Sequence, residues 1–118
     1  MTELNRIQPI TFVAQSLGIT ARRIRQFVEN GDVPRLGRGL IDFTWCLYFY
    51  TGSVIVENWN KKPHDPKILY ALGWINILGG DPSSEDIERC VETFKRNGFN
   101  RDQALLAIGR AQGLMRNV

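Results

Sequence analysis

Between Val13 and Phe27 the chain reads VAQSLGITARRIRQF, and Gly18 divides it. Glycine takes a positive φ without steric cost, so the chain can turn sharply between two short helices at this point. Thr11 can N-cap a first helix over Phe12 to Leu17, and Thr20 a second. In that second helix Ile24, Phe27 and Val28 recur at i, i+3 and i+4 and form one apolar stripe, while Arg22, Arg23, Arg25 and Gln26 lie off it. Asn30-Gly31 ends the helix, with Pro34 as a stop just beyond. The stretch is thus either a helical hairpin with a solvated basic face or a unit whose second helix is built to enter a groove.

The residues after Pro34 narrow the choice. In PRLGRGLIDF, Pro34 to Phe43, two short apolar arms flank Gly37-Arg38-Gly39, the pattern of a small β-hairpin with Arg38 at its tip. Asp42 or Thr44 can cap a third helix that runs through Tyr50 or a little further and carries Trp45, Leu47, Tyr48 and Phe49. Glu57 to Pro66 is polar with two prolines and reads as a linker. Beyond it Asp65-Pro66 opens a helix over Lys67 to Leu78 that Gly79-Gly80 ends. Ser83 and Asp86 resemble a capping box for a helix with Ile87, Cys90, Val91 and Phe94 on one face, ended by Asn97-Gly98. Asn100 with Gln103 repeats the device for a last helix with a stripe of Leu105, Ile108 and Ala111. The GxxxG of Gly109 to Gly113 sits beside Arg110 and Gln112 and suggests close helix packing rather than a membrane dimer. The expected organisation is residues 1–57 as one unit, 58–65 as a linker and 66–118 as a three-helix segment.

Charge is informative by position. The 118 residues carry a net charge of +3, too little to demand an anionic partner. Yet Arg22 to Arg38 holds five arginines against Glu29 and Asp32. Cys46 and Cys90 lie in apolar surroundings without CxxC spacing and read as reduced core thiols of a cytoplasmic protein; with one histidine in the chain, no zinc site is expected. MTELNRIQPI has no apolar core of a signal peptide, and the longest uncharged run, Phe43 to Val56, is 14 residues, short of the roughly 20 a membrane span needs. No carboxylate pair, nucleophile with a base, phosphate loop or metal cluster presents itself, and His64 stands alone, so neither an enzyme nor a cofactor is expected. Lys61-Lys62 reads as part of a solvated linker.

The order of helix, glycine turn, helix, hairpin and helix is that of a winged helix-turn-helix, and the opening stretch resembles the helix-turn-helix family position by position. Ala14 supplies the small residue, Gly18 the turn, and Val13, Leu17, Ile19, Ile24 and Phe27 the apolar sites. The expected fold class is therefore mainly α, a winged helix-turn-helix with a small β-hairpin followed by a C-terminal helical segment. With Ile24, Phe27 and Val28 used for packing, Thr20, Ala21, Arg22, Arg25 and Gln26 are left to face a major groove. Arginine can bind guanine and glutamine adenine in bidentate fashion, while Thr20 and Arg23 suit phosphate. Arg38 could reach a minor groove or phosphate.

The Gly31-Asp32-Val33-Pro34 link, the glycine-containing hairpin and the aromatic helix opened by IDFTW together resemble the DNA-binding domain of small terminase subunits of lambda-like phages. MerR-type regulators and phage excisionases are also similar. The resemblance covers about residues 8 to 56. It implies double-stranded DNA as partner, recognition of a packaging site on viral DNA in the cytoplasm of a bacterial host, self-assembly, and a large ATPase subunit as a further partner. Residues 66–118 depart from the pattern, having no sustained heptads. A function of another class is a protein-interaction adapter on a winged scaffold. In either case Trp74, Ile75, Ile77 and Leu78 exceed what one stripe of a short helix buries, and this segment is where an oligomer contact is expected.

Overall fold

The computed structural model describes residues 6–59 and 65–116. They form six helices and a three-stranded antiparallel sheet in the order β1 (Ile7–Pro9), α1 (Ile10–Leu17), α2 (Ala21–Glu29), β2 (Arg35–Gly37), β3 (Leu40–Asp42), α3 (Phe43–Asn58), α4 (Pro66–Leu78), α5 (Ser84–Arg96) and α6 (Arg101–Arg116). The expected order of helix, turn, helix, hairpin and helix is present.

The sheet is larger than the hairpin alone. β1 pairs with β3, Ile7 opposite Asp42 and Pro9 opposite Leu40, so the strand order is β1-β3-β2. Three residues ending in proline carry too little pattern to announce a strand, and Pro9 can sit there because the sheet edge makes no demand on a proline nitrogen. The same strand moves the start of α1. The helix begins at Ile10, not Phe12, and its N-cap is Pro9, which has no side-chain cap. The Ile10 N–H instead donates to the Gly39 carbonyl at 3.0 Å, so the hairpin does the capping expected of Thr11.

Local chemistry sets the other helix starts as expected. The Thr20, Asp42 and Asp65 side chains accept from the amides of Arg23, Trp45 and Lys67. Ser83 and Asp86 form a reciprocal capping box, and Asn100 and Gln103 bond each other's amides at 2.9 Å.

α3 continues eight residues past Tyr50, to Asn58, into part of the expected linker, and Trp59 is half-buried against the core. Its middle, Thr51-Gly52-Ser53, looks like a helix breaker. Both hydroxyls bond back to the carbonyls four residues earlier, and the helix persists because α4 crosses against it at Gly52. A Cβ at Gly52 would overlap the Leu69 carbonyl, and one at Gly73 the Tyr48 carbonyl. The two backbones therefore touch, which only glycine permits.

The core runs without a break from the first helices to the last. Trp45, fully buried, stacks on Tyr70 of α4 at 4.6 Å and on Phe99 at 5.3 Å, and meets the edge of Phe94 of α5 at 5.0 Å. Its indole Nε1 donates to the Asp32 carbonyl at 2.9 Å, which holds the loop after α2. Asp42, also fully buried, accepts from the Trp45 amide and, through its other oxygen, from Arg96 Nε at 2.8 Å and Asn97 Nδ2 at 3.2 Å. Two expectations about the C-terminal helices need correction. Trp74 and Ile75 are core residues, so only Ile77 and Leu78 of that group are exposed. In α6 the stripe is Ala104, Ala107, Ile108 and Ala111, and Leu105 faces outward.

Candidate nucleic-acid interface

α1 and α2 are joined by three residues. Gly18 adopts φ +71° and caps α1, the Ile19 amide donates to the Ala14 carbonyl at 3.1 Å, and Thr20 begins the next helix. The turn fixes α2 relative to α1, and the apolar side of α2 fixes it to α3. Ile24 is fully buried, Phe27 sets its ring against the edge of Phe49 at 5.1 Å, and Val28 packs on the same core.

Six of the seven residues singled out in the sequence are exposed: Thr20, Arg22, Arg23, Arg25, Gln26 and Arg38. The seventh, Ala21, is half-buried and packs on the core, leaving little of its methyl group to present outward. On α2 the outermost line is Arg22, Gln26 and Glu29, with Arg25 beside it. Among the described residues no ion pair involves Arg22, Arg25, Arg35 or Arg38. Among the described residues these four cations thus have no carboxylate against them, whereas Arg89, Arg96 and Arg101 each have a carboxylate partner.

Arg23 differs from its neighbours. Its guanidinium lies over the rings of Phe27 and Tyr50, at 5.8 and 5.4 Å from their centroids. This cation–π seat holds the side chain at the flank of α2. There it borders an open groove of about 630 Å³ that Thr20, Gln26, Asn30, Ser53 and Glu57 also line. Asp32 lines the same groove, and burial raises the pKa of its carboxyl above the ordinary carboxylate value. Lys61, Lys62 and His64 lie outside the described residues.

The hairpin is irregular in a way that projects its tip. Arg35 pairs with Ile41 and Gly37 with Leu40, so a register shift falls between them, and Gly39 turns with φ +69°. Arg38 stands exposed between Gly37 and Gly39. The tip is tied by its Gly39 carbonyl to the first residue of α1, and the three-residue turn into α2 follows the last. α1 has eight residues, so the end held by the hairpin and the end that turns into α2 are about 12 Å apart along its axis.

A second groove, of about 640 Å³, had no signal in the sequence because five elements contribute to it. Phe12, Phe43, Leu47, Tyr48, Trp74 and Leu78 give it an apolar lining, with Arg6 and Arg89 among its polar residues. Phe12 is 48% exposed there although it belongs to a helix whose other large apolar residues face the core. Among the described residues no group of three or more His, Cys, Asp or Glu could hold a metal ion, and no helix is long and apolar enough to cross a membrane.

No protein-family model matches the chain, and a search of curated proteins gave no match.

Proposed function

We propose that this protein binds double-stranded DNA sequence-specifically through a winged helix-turn-helix, with α2 as recognition helix and the β2–β3 hairpin as wing. The observation that carries the reading is the outer side of α2: Arg22, Arg25 and Gln26 are exposed on a helix whose opposite side is locked to the core, and both arginines lack an intramolecular partner among the described residues. A helix about 10–12 Å across fits the major groove, about 12 Å wide. Arg22 and Arg25 suit guanine and Gln26 adenine, and Arg22 lies in the first turn, the part of the helix that reads base edges in such domains. Arg38 at the tip and Arg35 at the base of the hairpin supply phosphate or minor-groove contacts. Thr20 and Arg23 contribute at the flank.

Within this reading the biological role we favour is that of a small terminase subunit. It would recognise a packaging site on viral DNA in a bacterial host cell and work with a large ATPase subunit. Its support is the resemblance of residues 8 to 56 to that family. Regulation or recombination of the MerR or excisionase kind uses the same chemistry. The adapter reading draws on the apolar groove between α1 and α3–α5, with half-exposed Phe12 on its wall.

Gel-shift titrations on duplex DNA across a salt series test the proposal. Affinity should fall steeply with salt, and Arg38→Ala should reduce the slope of log K against log salt by about one, as for one lost phosphate contact. Arg22→Ala, Arg25→Ala and Gln26→Ala should each cost about 1–3 kcal/mol at a preferred site and relax its sequence. Wild-type affinity and selectivity in all three variants would remove α2 from the interface. Absence of salt-dependent binding in the full chain would favour the adapter.

A further inference from the structure

We propose that α6 is the contact between two copies of this chain, paired antiparallel about a twofold axis at Gly109. Four features of the helix lead there. First, Leu105 and Leu106 are 39% and 59% exposed on a helix that already buries Ala104, Ala107, Ile108 and Ala111 against the rest of the protein. Second, Gly109 and Gly113 lie on the same outer side, and a Cβ built at either meets open space. Glycine inside a helix costs stability relative to alanine, and within one protomer nothing at these two positions requires it. A second helix approaching closely would require it, as α3 and α4 show at Gly52 and Gly73.

Third, the outer side is complementary to itself when reversed. At about 3.6 residues per turn, Asp102, Leu105, Leu106, Gly109, Gly113 and Arg116 share one side of α6. Asp102 stands seven residues before Gly109 and Arg116 seven after, each about 10.5 Å along the axis. Reversal about Gly109 therefore brings Asp102 of one copy to Arg116 of the other, twice. It also lays Leu105 over the shallow surface at Gly113 and sets Gly109 against its own copy. This is the isologous arrangement of a twofold dimer, in which each residue meets the same partner from both sides. Fourth, Asp102 and Arg116 have no ion-pair partner among the described residues, whereas neighbouring Arg101 is paired with Glu88 at 2.8 Å.

The α6 contact is independent of DNA binding. Where both hold, the twofold pair presents two copies of α2, which suits half-sites of pseudo-palindromic DNA.

Analytical ultracentrifugation of the full chain from micromolar to millimolar concentration tests it. The wild type should show a monomer–dimer equilibrium. Gly109→Leu should be monomeric throughout with an unchanged far-UV circular dichroism spectrum, since the added side chain meets only solvent in one protomer. Asp102→Arg and Arg116→Asp should each raise the dissociation constant about tenfold, because two attractive pairs become repulsive. The double variant, Asp102→Arg with Arg116→Asp, should restore the wild-type value. A wild type that stays monomeric overturns the proposal. So does a dimer that persists in Gly109→Leu, which would place the contact on another surface, and so does a double variant as weak as the single ones.

Discussion

Replacing Asp42 by alanine removes three contacts made by one buried carboxylate. The Trp45 amide loses its cap, Arg96 a buried carboxylate partner, and Asn97 one of its two acceptors. A helix cap is worth about 1 kcal/mol. Breaking a buried ion pair by deleting one partner costs about 3–5 kcal/mol, because the remaining charge stays desolvated. The Arg96 side chain is only 12% exposed but keeps its bond to Thr93 Oγ1, so the lower part of that range applies here. As the contacts share one group they do not add, and the expected total is about 3–5 kcal/mol, a large part of the 5–15 kcal/mol that holds a typical domain together. In urea unfolding this appears as a fall in midpoint of about 2–3 M at an unchanged slope. Asp42→Asn, which keeps an acceptor for the Trp45 amide, should fall between the wild type and Asp42→Ala. A cost below about 1 kcal/mol for Asp42→Ala, the range of surface substitutions, would refute the idea that this carboxylate ties the base of the hairpin to α5. A chain ended at Lys62 tests the same tie more severely. It lacks Arg96 and Asn97 together with Leu69, Tyr70 and Phe94, and it should be unfolded by circular dichroism. A cooperatively folded fragment would contradict the continuity of the core.

Two further predictions concern the core. Gly52→Ala and Gly73→Ala place a methyl group against a partner backbone that no side-chain rotation can clear, and each should cost about 3 kcal/mol or more in thermal or urea unfolding; a cost under 1 kcal/mol in either would mean that α3 and α4 can separate freely. The thiols of Cys46 and Cys90 are pushed up to about 12 by burial, aided at Cys46 by Asp42, so neither should react with a thiol reagent at pH 8 until the protein unfolds. As the unfolded thiols ionise near 9.0 and the folded ones do not, their contribution to stability is complete below pH 9 and is lost between pH 9 and about 12. Labelling of the native protein at the rate of a free thiol would show that these sites open.

Features that a few neighbouring residues decide were legible in the sequence. Thr20, Asp65, Ser83 with Asp86, and Asn100 with Gln103 each act within four positions of themselves, and all cap as expected. The inner side of α2 was legible for the same reason, since Ile24, Phe27 and Val28 repeat at helical spacing. Features that depend on partners far along the chain escaped. β1 exists because β3, more than thirty residues later, offers it an edge. α3 passes through Thr51-Gly52-Ser53 because α4 lies against it, and Asp42 is a cap that is also the partner of a residue 54 positions away. The candidate interface divides along the same line. The exposure of Arg22, Arg25, Gln26 and Arg38 follows from local pattern. The seat of Arg23 on Phe27 and Tyr50, and the packing of Ala21, needed the tertiary structure.

Selection from a pool of random duplex DNA tests the central claim most directly. The full chain is incubated with the pool near physiological salt, and bound duplexes are recovered, amplified and sequenced over successive rounds. A short motif containing guanine and adenine at fixed spacing should be enriched. That motif should lose definition at single positions in Arg22→Ala, Arg25→Ala and Gln26→Ala. A pool that remains random after repeated rounds, or a motif unchanged in all three variants, would contradict sequence-specific recognition by α2.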